Sequence, residues 1–186
     1  MDKSKPAWVP ALLLALVVAG CGQDDGAGVR DVSGSASAPG SGSASGAGTG
    51  SAVAACRPVG DPGAASAKVR VELGEWFVRP AQPSVQAGTV TLEAVNTGAD
   101  AHELVVVKAA DPAELPLGAD GTVDESKLPR GALVGEVEAF PAGQTCNGTF
   151  ALTPGPYAFF CNLLEQEAGK PENHFALGMR TSFQVR

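Results

Sequence analysis

The chain has 186 residues, a formal net charge of −7, two histidines, four cysteines and 44% apolar residues. That length fits one domain with accessory segments. The acidic balance argues against a nucleic-acid binder, which needs a basic stripe, and two histidines exclude a three-histidine zinc centre. Twenty-four glycines and fourteen prolines point to β-structure, a linker, or both, rather than to long helices.

Lys3 and Lys5 precede an apolar run over 7–19 that Pro10 interrupts. The run is well short of the roughly 20 residues a spanning helix needs. A basic start, a short apolar core and a small-residue boundary make a secretory signal. The boundary, Val18-Ala19-Gly20-Cys21, resembles the bacterial lipobox. That resemblance implies a leader over 1–20 and a lipid on Cys21 as the mature N-terminus. From 26 to 55, glycine, alanine and serine fill 23 of 30 positions. Such a stretch buries too little apolar surface to offset its ordering entropy, so 21–55 reads as a tether with an r.m.s. span of roughly 30 Å. The folded part is expected over 56–186, with 10 basic and 16 acidic residues.

Strand signals follow in order. Residues 68–73 alternate, with Val69, Val71 and Leu73 on one face, which is strand spacing. Trp76, Phe77 and Val78 form a short extended piece before Pro80. Gly88 opens a run in which Val90, Leu92 and Ala94 share a face. Asn96-Thr97-Gly98 reads as a turn, and 104–107 as a β-branched strand. Residues 145–152, 157–161 and 180–185 supply the other candidates, the first two parted by Pro154-Gly155-Pro156. About seven or eight short strands predict an all-β sandwich or barrel. The exception is 111–141, turn-rich, with seven carboxylates against Lys127 and Arg130. It reads either as a solvated surface or, over 111–138, as a docking surface for a basic redox partner.

Four residue types near the end of the chain converge on one chemistry. Cys161 closes the aromatic stretch 157–161, twelve residues separate it from His174, Met179 follows, and His102 stands upstream. A thiolate, two imidazoles and a thioether are the ligand set of a blue-copper centre. The order His, then Cys, His and Met, resembles the cupredoxin family over roughly 68–186. The resemblance implies a Greek-key sandwich or barrel, one type 1 copper per chain, and no catalysed reaction. It implies His102, Cys161 and His174 as strong ligands and Met179 as the weak axial one. An alternative puts Glu103 in place of Met179. Better-known members of the family have only a few residues between the cysteine and the second histidine. The twelve here must loop out before returning, with Gly169 and Pro171 near the return.

Further expectations attach to that reading. Phe160, Phe175 and Leu177 are expected to restrict water, and Asn96 and Asn162 to hold the ligand loops by hydrogen bonds. With Cys21 as anchor and Cys161 as ligand, Cys56 and Cys146 remain, either as a disulfide, which an exported protein permits, or as two unpaired thiols. The sequence thus predicts a monomeric, lipid-anchored one-electron carrier outside the cytoplasmic membrane, meeting a redox partner protein and no nucleic acid. The alternative is a copper chaperone, scavenger or accessory protein.

Overall fold

A computed structural model describes residues 53–186. The leader, Cys21 and residues 21–52 of the tether lie outside the described residues. Two sheets carry the fold. The first has the order β2-β1-β4-β7, with β1 Ala67–Gly74, β2 Phe77–Pro80, β4 Gly88–Asn96 and β7 Thr145–Leu152. The second has the order β3-β11-β8-β5-β6, from β3 Ser84–Val85, β5 His102–Val107, β6 Leu133–Phe140, β8 Gly155–Phe160 and β11 Arg180–Val185. β1 runs parallel to β4, and β3 parallel to β11; the other pairings are antiparallel. The chain crosses to the second sheet for β3, returns for β4, and changes sheet again between β4 and β5, between β6 and β7 and between β7 and β8, so a sandwich closes around one core.

The period-2 pattern explains that core. Val69, Val71 and Leu73 of β1 and Val90, Leu92 and Ala94 of β4 point inward together. Leu104 and Val106 of β5, Tyr157 and Phe159 of β8, and Phe183 and Val185 of β11 meet them from the other sheet. Phe159 stacks on Phe183 with ring centroids 4.7 Å apart. β5 is buried on both faces, because Val105 and Val107, with Ala158 and Phe160 of β8, belong to a second apolar cluster on the outside of the second sheet.

The cover of that second cluster comes from 108–132, part of the acidic stretch. Leu115, Val123 and Ala132 are buried there, while the carboxylates of Asp111 and Asp124 face outward at the N-caps of two short 3-10 turns, Pro112–Glu114 and Glu125–Lys127. The segment is therefore a strap with an apolar underside and an acidic outer surface. Its continuation is β6, a strand absent from the sequence reading. β6 is an edge strand paired to β5 through two register shifts, and Gly135, Glu136 and Glu138 mask its alternation.

The twelve residues between Cys161 and His174 do loop out, as a β-hairpin of their own: β9 Leu164–Glu167 and β10 Lys170–Asn173. Ala168 and Gly169 form its two-residue turn, both at positive φ (48° and 78°), the conformation of a type I′ hairpin loop. Pro171 sits within β10, opposite Gln166. With β3 and this hairpin added, the strand count exceeds the expected seven or eight.

Cys56 and Cys146 form a disulfide across a sequence separation of 90, with Cα atoms 5.4 Å apart. Val59 then bridges Gly148 in parallel along β7, so the start of the described chain is fastened to the first sheet. Removing this link by Cys56→Ser with Cys146→Ser is expected to lower the unfolding free energy by up to about 4–5 kcal/mol, the loop-entropy value for a ring of this size. Urea denaturation of both forms measures it, and coincident curves would count against the link as a stabilising element.

Candidate metal centre

Three donors reach one point from three elements. His102 is the first residue of β5, Cys161 follows the end of β8, and His174 opens a single helical turn, α1 His174–Leu177. One ligand atom from each lies within 4.8 Å of the others. The Nδ1 atoms of His102 and His174 are 3.3 Å apart, and Cys161 Sγ is 3.3 Å from His174 Nδ1. All three residues are fully buried. Burial of polar side chains without charge compensation is costly, so three such groups turned toward one another mark a place built for a shared partner.

Backbone hydrogen bonds set this geometry despite the inserted hairpin. Cys161 N donates to Met179 O at 3.0 Å, Met179 N donates to His174 O at 3.0 Å, and His174 N donates to Leu163 O at 3.0 Å. These bonds staple the base of the hairpin, so the chain leaves at Cys161 and returns beside it. Asn173 caps α1, its side chain accepting from Ala176 N at 2.9 Å, and Gly178 ends the turn at φ 124°. Met179 is fully buried in the same core as Cys161.

The other residues singled out from the sequence fall into distinct places. Asn96 is buried; its Nδ2 donates to Asp100 O and Phe140 O, and its Oδ1 accepts from Gly98 N. It thereby shapes the loop 97–101 that delivers His102. Asn162 uses its side chain on the strap, accepting from Val123 N at 2.7 Å and donating to Val123 O at 3.0 Å. Its backbone N donates to Glu103 Oε1 at 2.8 Å, which joins the His102 strand to the Cys161 loop. Glu103 is outside the cluster of donor atoms, so the alternative of Glu103 as a ligand is set aside: its carboxylate is occupied with the Asn162 amide. Phe160 and Phe175 are buried in edge-to-face contact at 5.4 Å. Leu177 is 47% exposed and seals nothing.

Two residues at the site were not foreseen, both in the turn between β1 and β2. Glu75 Oε1 lies 3.1 Å from His102 Nε2. Trp76 stands edge-to-face over His174, with centroids 5.2 Å apart. The His174 Nε2 atom is buried and has no hydrogen-bond partner among the described residues. The imidazole edge is therefore covered, and the half-buried Trp76 lies over it. A lone carboxylate and an indole in a hairpin turn carry no sequence signal of a site; only the fold brings them to it.

Electrostatics follow from burial. Desolvation pushes the Cys161 thiol up to about 12, with the neighbouring Glu103 charge adding to it. Burial also lowers both imidazoles, and His102 lowers His174 further. In the metal-free protein at neutral pH all three donors are thus uncharged, and a bound cation must displace the thiol proton. The donor set, one thiol and two imidazoles, suits copper in both common oxidation states.

The arrangement, a β-sandwich with one histidine at a strand start and a cysteine and histidine on the connection before the last strand, is the one the cupredoxin resemblance implies. No family model matches the chain, and no curated protein matches it. Among solved structures it is similar to dithionite-reduced auracyanin from Roseiflexus castenholzii, at 23% identity, covering 66% of this chain and 98% of that one, with a TM-score of 0.47. It is similar to auracyanin A, a "blue" copper protein from Chloroflexus aurantiacus, at 21% identity, 64% and 99% coverage and a TM-score of 0.39. It is also similar to rusticyanin from Thiobacillus ferrooxidans, at 19% identity, 64% and 77% coverage and a TM-score of 0.41.

Burial raises Glu103 from an ordinary value of 4.5 to about 7, with the charges of Glu136 and Glu125 adding to the rise. A carboxyl group raised on folding stabilises the protein fully below its unfolded pKa, and that contribution is lost as pH rises through the folded one. The window here runs from about 4.5 to about 7. Glu103→Gln keeps the acceptor for Asn162 N and removes the ionisation. In the metal-free protein it is expected to stabilise by up to about 3 kcal/mol at pH 8, with the advantage vanishing below pH ~4.5. Urea titrations at the two pH values check it; an advantage independent of pH would count against this origin.

Proposed function

We propose that this protein is a mononuclear copper protein of type 1 that carries one electron at a time. The observation that carries the reading is the convergence of His102 Nδ1, His174 Nδ1 and Cys161 Sγ at a fully buried point. Copper held by these three would supply a reversible one-electron couple, with Met179 as the weak fourth donor. The backbone bonds among Leu163, His174, Met179 and Cys161 hold the donors in place, which keeps rearrangement between oxidation states small. Complete burial of all three ligands favours retention of the metal over its transfer to another protein. No chemical conversion of a substrate belongs to this reading.

The path outward follows from the covered imidazole. His174 is fully buried and packs against the half-buried Trp76, which makes the indole the candidate point of contact for a partner in this reading. The inserted hairpin is acidic, with Glu165 and Glu167 on β9 and Glu172 on β10. With the acidic stretch over 111–138, this favours a redox partner of basic surface. The leader over 1–20, the lipid on Cys21 and the tether over 21–55 complete the reading as an exported, membrane-anchored carrier working as a monomer, outside the cytoplasmic membrane.

One equivalent of Cu(II) added to the metal-free protein is expected to give an intense thiolate-to-copper charge-transfer band and narrow copper hyperfine splitting in EPR. Cys161→Ser should abolish the band, and Met179→Leu should keep it while shifting its position and the reduction potential. A pale complex in the unaltered protein would defeat the reading. A Met179→Leu spectrum and potential identical to the parent would remove Met179 from the ligand set.

A further inference from the structure

The turn between β1 and β2 lies outside the ligand set, yet the Glu75 carboxylate is built into the site. Its Oε1 atom makes three contacts: it accepts from Ala99 N at 2.9 Å and from Asp100 N at 3.0 Å, and it lies 3.1 Å from His102 Nε2. The two amides belong to the loop that delivers His102 to β5. Gly98 makes room for this: a Cβ there would lie 2.3 Å from Glu75 Oε1. Two backbone N–H groups already donate to this one oxygen, so it meets the imidazole as an acceptor too. The proton of the His102 ring therefore sits on Nε2, and the Nδ1 lone pair is left facing His174 Nδ1 and Cys161 Sγ.

We propose that Glu75 is the positioning residue of the metal centre: it fixes His102 as the Nε2–H tautomer with Nδ1 turned to the metal, and its charge, acting through the imidazole, favours the oxidised ion. A partner on the far nitrogen of a ligating histidine sets both ring orientation and basicity. The two imidazoles differ in this respect. His174 Nε2 has no hydrogen-bond partner among the described residues, and its ring packs edge-to-face with Trp76, so the carboxylate's hydrogen bond reaches His102 alone. The charge half of the proposal rests on the copper reading; the tautomer half does not.

Two variants separate the halves. Glu75→Gln can keep all three contacts through Oε1 and loses only the charge; Glu75→Ala loses both. Nitrogen-15 NMR of the metal-free full chain is expected to show His102 as a single Nε2–H tautomer in the parent and in Glu75→Gln, and as a mixture in Glu75→Ala. Copper loading is expected to give Glu75→Gln an unchanged charge-transfer band and a tenfold weaker hold on Cu(II) relative to Cu(I), a rise of about 59 mV in a one-electron couple. Glu75→Ala should bind Cu(II) 10–100-fold more weakly, the usual cost of removing such a partner. A single Nε2–H tautomer persisting in Glu75→Ala overturns the positioning role, and an unchanged potential in Glu75→Gln overturns the charge role. If Glu75→Ala does not fold, the potential of Glu75→Gln decides. If the parent forms no blue complex, the copper reading falls and the NMR comparison alone decides for or against Glu75.

Discussion

The short set of backbone hydrogen bonds joining Leu163, His174, Met179 and Cys161 is the constraint on which the rest of the site depends. A twelve-residue insertion between two ligands would ordinarily separate them, since the entropic cost of closing a loop grows with its length. Here the cost is met locally. The insertion folds on itself as β9 and β10, through a turn whose two residues adopt the left-handed conformation such loops require, and its ends are pinned together at the base. Cys161 and His174 are consequently as close as if the hairpin were absent. The hairpin pairs with neither main sheet, so its length and charge can vary without moving a ligand.

Rigidity of the remaining ligand comes from the sheet. His102 begins a strand buried on both faces, with the main core beneath and the strap 108–132 above. A central strand in such a position cannot slip by one residue, because a slip would exchange the two apolar faces. The strap thus has a mechanical part beside its charged surface: through Val123 it also holds Asn162, the residue after Cys161, and through Asn162 it touches Glu103, the residue after His102. Two ligands from different strands are in this way tied to one another by their immediate neighbours in the chain.

How far this was legible in the sequence depended on the kind of signal. The strands of the inner core were plain because Val69, Val71, Leu73 and their counterparts alternate on one buried face. The donors were plain because the chain is poor in them, with only two histidines, and because their order resembles a known family's. β6 was hidden by its place at a sheet edge, where Glu136 and Glu138 replace apolar residues. β9 and β10 were hidden because neither face of the hairpin is core, leaving only the Ala168-Gly169 turn to announce it. Glu75 and Trp76 were hidden for a different reason. Their roles arise from a contact across the sandwich, with Glu75 27 residues from His102 in sequence, and nothing local distinguishes them from any charged and aromatic pair in a turn.

The electrostatics of the core follow one rule with two outcomes. Where a polar group can be buried without charge, the fold buries it: the thiol of Cys161 and both imidazoles are neutral in the metal-free protein, and a neutral group is far cheaper to bury than an ion. The thiolate charge arises only together with a cation that compensates it, so metal binding and charge separation are a single event. Where a charge must persist beside the site, it is placed at the rim and held by several donors, as with Glu75, whose side chain retains 28% exposure. Glu103 shows the opposite case. Buried with one amide donor and facing other carboxylates, it gives up its charge far more readily. Glu75 contacts His102 itself and Glu103 is its neighbour in the chain, yet one is held toward its charged form and the other away from it, and the difference lies in the number of amides each receives and in the water each keeps.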